Sequence, residues 1–147
     1  MKKLGEDPAH GCGHALWENS GDLNKYGTTM ALMLLPYWTD GCIGSTEGLF
    51  FEAAGSTPYH FISAAALSKQ SSNPVRELRY DNNDAVKGVA YMRLMGIRYY
   101  MAYTTEAITK ADEQVDLTKV GTSGPWHLYE IADTAIVEPL AVQPVVV

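Results

Sequence analysis

Cysteine is scarce: Cys12 and Cys42 are the only two among 147 residues. That excludes a disulfide-dense secreted scaffold and leaves room for one intrachain bridge at most. Positive charge is scarce as well, with 11 Lys and Arg against 17 Asp and Glu and a net charge of −6. Without a basic stripe, the chain lacks the electrostatic footprint of a nucleic-acid binder. Long apolar runs are missing. The best candidate, MALMLLPY at 30–37, falls far short of the roughly 20 residues that span a bilayer. The start, MKKLGEDPAHGCG, has no apolar stretch behind its lysines, so it does not read as an export signal. Neither a phosphate-binding loop nor a dinucleotide fingerprint occurs.

With neither export signal nor anchor, the expectation is either a cytoplasmic product or a piece of something larger. The apolar ending LAVQPVVV favours the piece. A content of 46% hydrophobic and 19% charged residues describes one globular domain with its own core.

HALWE (14–18) reads as a short strand, and MALMLLPYW (30–38) as a buried strand ending at Pro36. The turn-rich NSGDLNKYGTT (19–29) lies between them, and TDGCIGSTEG (39–48) reads as a loop. TEGLFFEAA (46–54) reads as a short helix capped by Ser45 or Thr46. TPYHFISAAALSK (57–69) has stronger signals, with Thr57 as cap and Pro58 in the first turn. Asp84 caps the clearest helix, AVKGVAYMRLM (85–95), whose Val86, Val89, Ala90 and Leu94 share a face. Gly96 closes it, and the strand IRYYMAYT (97–104) follows at once. TEAITKADEQ (105–114) reads as another helix. LTKVGTSGPWHLYEIAD (117–133) reads as two strands around Ser123-Gly124-Pro125. AIVEPLAVQPVVV (135–147) reads as one or two more, broken at Pro139 and Pro144. This interleaving predicts an α/β (α+β) fold, a mixed sheet covered by short helices. A single domain is expected over 14–147, with residues 1–13 as an N-terminal extension.

Two clusters invite chemistry. The first is HGCGH at 10–14. As a zinc site, His10, Cys12 and His14 lie too close together, and a fourth ligand would have to come from Cys42, His60 or His127. As a catalytic thiol, Cys12 has histidine bases beside it but no recognisable oxyanion hole. A disulfide to Cys42 and a pair of buried thiols are the other readings. No metal and no cofactor is expected.

The second cluster joins YWTDGCIGSTEGLFFE to TPYHF, crowding Tyr37, Trp38, Asp40, Glu47, Glu52, Tyr59 and His60 together. Flat rings pack on the C–H face of a pyranose, and carboxylates accept its hydroxyl hydrogen bonds. Tyr37, Trp38, Asp40, Glu47, Tyr59 and His60 are therefore candidate glycan contacts. Paired carboxylates also fit a glycosidase. The simpler alternative puts the aromatics in the core, Asp40 in a turn, and Glu47 in the first turn of a helix.

Three segments, ALMLLPYWTDGCIGSTEGLFFEAAGSTPYHF (31–61), GVAYMRLMGIRYYMAY (88–103) and VGTSGPWHLYEIAD (120–133), together resemble a family of very large actinobacterial membrane proteins. These are polytopic proteins of glycosyltransferase-C type, some described as related to 6-pyruvoyl-tetrahydropterin synthase. The resemblance runs from about Cys12 to the C-terminus, and LLPYWTDGCIGSTEGLFFE is its most specific part. In such proteins the matching segment is a domain outside the membrane that follows the spanning helices.

The resemblance implies a non-catalytic accessory domain at the extracytoplasmic face of the cell membrane, supporting envelope glycan transfer or binding. Its implied partners are the membrane-spanning part of the parent protein and a glycan or lipid-linked sugar. The family's catalytic carboxylates are attributed to a loop between spanning helices that this chain does not contain, so no catalytic residue carries over. In that oxidising compartment a Cys12–Cys42 disulfide is the expected state. It closes a loop of about 30 residues, worth roughly 3–4 kcal/mol. The alternatives are a stand-alone carbohydrate-binding module using Trp38 and its acidic neighbours, and a small hydrolase or zinc-dependent enzyme.

Overall fold

The computed structural model describes residues 1–48, 53–137, 139, 141 and 142. Its centre is a five-stranded sheet: β1 (Gly13–Trp17), β2 (Ile43–Ser45), β3 (Ile97–Ala102), β4 (Leu117–Ser123) and β5 (Trp126–Ile131). The strand order is β2-β1-β3-β5-β4. β1 runs parallel to both its neighbours, and β5 lies antiparallel between β3 and β4. Among the described residues five short α-helices surround it: α1 (Lys2–Glu6), α2 (Leu35–Trp38), α3 (Thr57–Ala66), α4 (Ala85–Leu94) and α5 (Thr105–Asp112). The expected mixed sheet covered by short helices is what the chain forms.

Both faces of the inner strands β1 and β3 are largely buried. On one face Leu16, Ile97, Tyr100 and Tyr129 meet Leu67, Val89 and Met92. On the other, Trp17, Tyr99 and Met101 meet Leu35, and Met1 and Leu4 pack against them. Residues 1–13 thus contribute to this second core. Burial on two sides explains why β1 and β3 read as nearly unbroken apolar runs. Local signals place the helix ends. Asp84 Oδ1 accepts from Lys87 N at 3.2 Å, and Thr104 Oγ1 accepts from Ala107 N at 3.2 Å. Gly96, at φ +61°, stops α4 in the left-handed conformation that glycine tolerates.

Four expectations need correction or limits. The segment 30–38 is not a strand: Ala31–Leu34 is a 3-10 turn and Leu35–Trp38 a short helix with Pro36 in its first turn. Its Met, Ala and Leu are helix formers without β-branching, and proline suits a first turn. The adjoining 39–48 segment is not wholly loop, because Ile43–Ser45 pairs with β1. The helix expected over 46–54 falls partly on residues 49–52, outside the described residues. Of 135–147, the described part contains no strand, and the rest lies outside the described residues.

The buried face of α4 also differs from the expected one. Ala85, Gly88, Val89 and Met92 face inward, while Val86, Ala90 and Leu94 are exposed. The reason is close helix packing. A Cβ on Gly88 would stand 2.5 Å from Leu67 Cδ2 and Cγ, so the small residues let α4 settle against the end of α3.

Gly88→Val overpacks this contact by more than its small gain in helix propensity offsets, and should destabilise the fold by about 1–3 kcal/mol in denaturant melts. A second expectation concerns Tyr99, Tyr100 and Tyr129, whose hydroxyls donate to Gly11 O, Leu67 O and Asp112 Oδ1. Burial is the main cause raising all three above the ordinary tyrosine range. A raised folded value means the native state keeps protons that the unfolded chain loses. The associated stability is complete below about pH 10 and lost as pH rises further. In an alkaline titration, the last tyrosinate absorbance should appear together with loss of far-ultraviolet circular dichroism.

Candidate functional site

The three polar side chains of HGCGH go to three places. Cys12 is bonded to Cys42 across a sequence separation of 30. The bridge sits where β1 and β2 begin, beside the hydrogen bond from Gly13 N to Cys42 O at 3.0 Å. His10 Nδ1 lies 2.6 Å from Glu130 Oε2, and Arg98 Nε donates to Glu130 Oε1 at 2.7 Å. His14 points away from both. Its ring lies against Gly44, whose added Cβ would meet His14 Cδ2 at 2.2 Å. Among the described residues, no group of three or more His, Cys, Asp or Glu is arranged to hold a metal ion.

His14 forms one wall of a cavity of about 370 Å³, together with Thr46, Thr57, His60 and Met95. It opens between the β1–β2 edge and the start of α3. His60 is buried, and its Nε2 lies 2.8 Å from Glu47 Oε1. Ser45 sets the position of Glu47: its Oγ accepts from Glu47 N at 3.0 Å and donates to Glu47 O at 2.5 Å. Two of the candidate glycan residues, Glu47 and His60, are therefore joined in one polar pair. Because the Ser45 hydroxyl is occupied by Glu47, it is not paired with an imidazole as a hydrolytic nucleophile would be. The arrangement offers hydrogen bonds at a concave surface.

The other candidates stand apart. Tyr59 is on the outer side of α3, in an apolar groove with Ile62, Tyr91 and Leu94. Tyr37 and Trp38 are on α2, whose Leu35 packs on the opposite face of the sheet. They are 71% and 64% exposed, so they are not core residues. Their rings meet edge to face, 5.0 Å between centroids at 81°. Asp40, also exposed, pairs with Lys2 Nζ at 3.3 Å. Glu52 lies outside the described residues. The structure thus separates an aromatic pair with Asp40 from the Glu47–His60 cavity.

Sequence reasoning missed Glu18. This carboxylate follows β1 and is 0% exposed. Its Oε2 accepts from Tyr103 N at 2.8 Å and Thr104 N at 2.7 Å. Oε1 accepts from the Thr104 hydroxyl at 2.6 Å and more distantly from Lys69 N at 3.4 Å. The signal was an acidic residue ending an otherwise apolar strand, HALWE. A carboxylate there must be satisfied internally or face a ligand.

No protein-family model, curated protein or solved structure matches this chain.

Proposed function

We propose that this chain is a non-catalytic extracytoplasmic domain of a polytopic cell-envelope membrane protein of glycosyltransferase-C type, supporting glycan binding beside its parent's active site. The Cys12–Cys42 disulfide supports the extracytoplasmic part of this reading, because such bonds persist chiefly in oxidising compartments; the parent's type rests on the sequence resemblance. Among the described residues no helix is long and apolar enough to cross a membrane, and the reading assigns that task to other segments of the parent. The glycan part is supported by Tyr37 and Trp38, large exposed rings that meet edge to face and shortly precede the exposed Asp40 in the chain. Amphipathic rings of this kind stack on sugars while their polar edges stay wet. The same pair favours a second reading, a carbohydrate-binding module acting alone.

Two measurements test this. Cysteine labelling of the native protein, taken from its source cells without reductant, should leave Cys12 and Cys42 unmodified until a reductant is added. Free reaction of both would contradict the extracytoplasmic reading. On a glycan array the chain should bind at least one glycan, and Trp38→Ala should weaken that signal at least about tenfold, a loss of about 1.4 kcal/mol. Because Trp38 is exposed, the variant should keep its fold. An unchanged signal would remove the aromatic pair from the account.

A further inference from the structure

We propose that the Glu47–His60 cavity and the apolar groove beside it form one site for a single-chain amphiphile with an uncharged, hydroxyl-rich head. The inference comes from the geometry of α3, α4 and the β1–β2 edge, and does not depend on the envelope reading. The cavity of about 370 Å³ and the groove of about 250 Å³ share a wall, the side chain of Met95. The Met95 sulfur lies 3.3 Å from the Ser63 hydroxyl, whose proton goes chiefly to Tyr59 O at 2.8 Å.

The two halves differ in chemistry. The cavity is lined by the hydroxyls of Ser45, Thr46, Ser56 and Thr57 and by the imidazoles of His14 and His60. Among the described residues that line it, none is Lys or Arg, and the carboxylate of Glu47 stands against His60. An anionic head would lose its hydration there without a fixed positive charge to compensate. A head that both donates and accepts hydrogen bonds suits the lining. One buried group is left to satisfy: Thr46 Oγ1 has no hydrogen-bond partner among the described residues, and a turn of its side chain toward the cavity would bring it to a ligand hydroxyl. An unmet buried hydroxyl is costly, and a ligand hydroxyl would relieve that cost.

The groove offers almost nothing polar. It runs between the outer faces of α3 and α4, lined by Tyr59, Ile62, Tyr91 and Leu94. Leu94 is 83% exposed, on the face of α4 that its sequence pattern assigns to the core. An alkyl chain leaving the cavity past Met95 would cover these side chains and remove their apolar surface from water. Head and tail would therefore each contribute, and neither half of the ligand would suffice alone.

The test uses the full chain and octyl glucoside below its micelle-forming concentration, followed by chemical-shift changes of backbone amides. Binding should perturb Thr57, His60, Ile62 and Tyr91. Glucose, octanol and octanoate should each bind at least about tenfold more weakly than octyl glucoside. His14→Ala and Leu94→Ser, both at exposed positions and so compatible with folding, should each weaken octyl glucoside at least about fivefold. Equal binding of octanol or octanoate would overturn the role of the head, and equal binding of glucose that of the tail. No binding of octyl glucoside, or binding indifferent to both variants, would overturn the site.

Discussion

The buried carboxylate of Glu18 is the constraint on which the rest of this fold depends. It stands where β1 ends, and four donors from two other segments converge on it. Two are the amides of Tyr103 and Thr104, which carry the chain out of β3 into α5, and a third is the Thr104 hydroxyl. The fourth is the amide of Lys69, just past the end of α3. The amide of Glu18 itself donates to Met101 O at 2.9 Å, continuing the β1–β3 pairing. One residue thus ties together the two central parallel strands, the start of α5 and the exit of α3. A charged group is costly to bury unless its hydrogen bonds are complete. Here they are complete only if all of these segments hold their positions. The polar contact thereby couples elements that apolar packing alone would leave free to slide.

The disulfide acts at the opposite end of β1. Cys12 and Cys42 fasten the beginnings of β1 and β2, and a three-residue edge strand gains little from its own pairing. With both ends of β1 fixed, His14 and Gly44 are brought into register. The imidazole then forms the wall of the cavity that also holds His60 and Glu47. The proposed binding chemistry is therefore downstream of two restraints, one covalent and one electrostatic. Tyr37 and Trp38 owe their position to the same bridge: α2 leads into the short Thr39–Cys42 turn, where Cys42 N donates to Thr39 O at 3.0 Å.

Much of the sheet was legible in the sequence because its signals are local. Asp84 and Gly96 bracket α4, and Gly124-Pro125 between apolar runs marks the β4–β5 hairpin. What escaped was set by tertiary contact. The run at 30–38 has the hydrophobicity of a buried strand, but its apolar residues wrap one face of the sheet as a turn and a helix. The pattern of Val86 and Leu94 points to one face of α4, yet the close approach of Leu67 made glycine and alanine the inward residues. Of the candidate site, Glu47 and His60 meet and Tyr37 and Trp38 meet, but no spacing rule could place the two pairs on opposite faces. Glu18 carries no motif. Only the convergence of distant backbone amides shows what it does.

The most direct test is the substitution Glu18→Gln, which keeps the shape but sets an NH2 group against backbone donors. If the carboxylate couples these segments, denaturant unfolding should show a loss of about 2–4 kcal/mol. Hydrogen exchange at the amides of Tyr103 and Thr104 should then accelerate more than at the hairpin amides of β4 and β5. A variant as stable as the parent, with unchanged exchange at those two amides, would contradict the coupling.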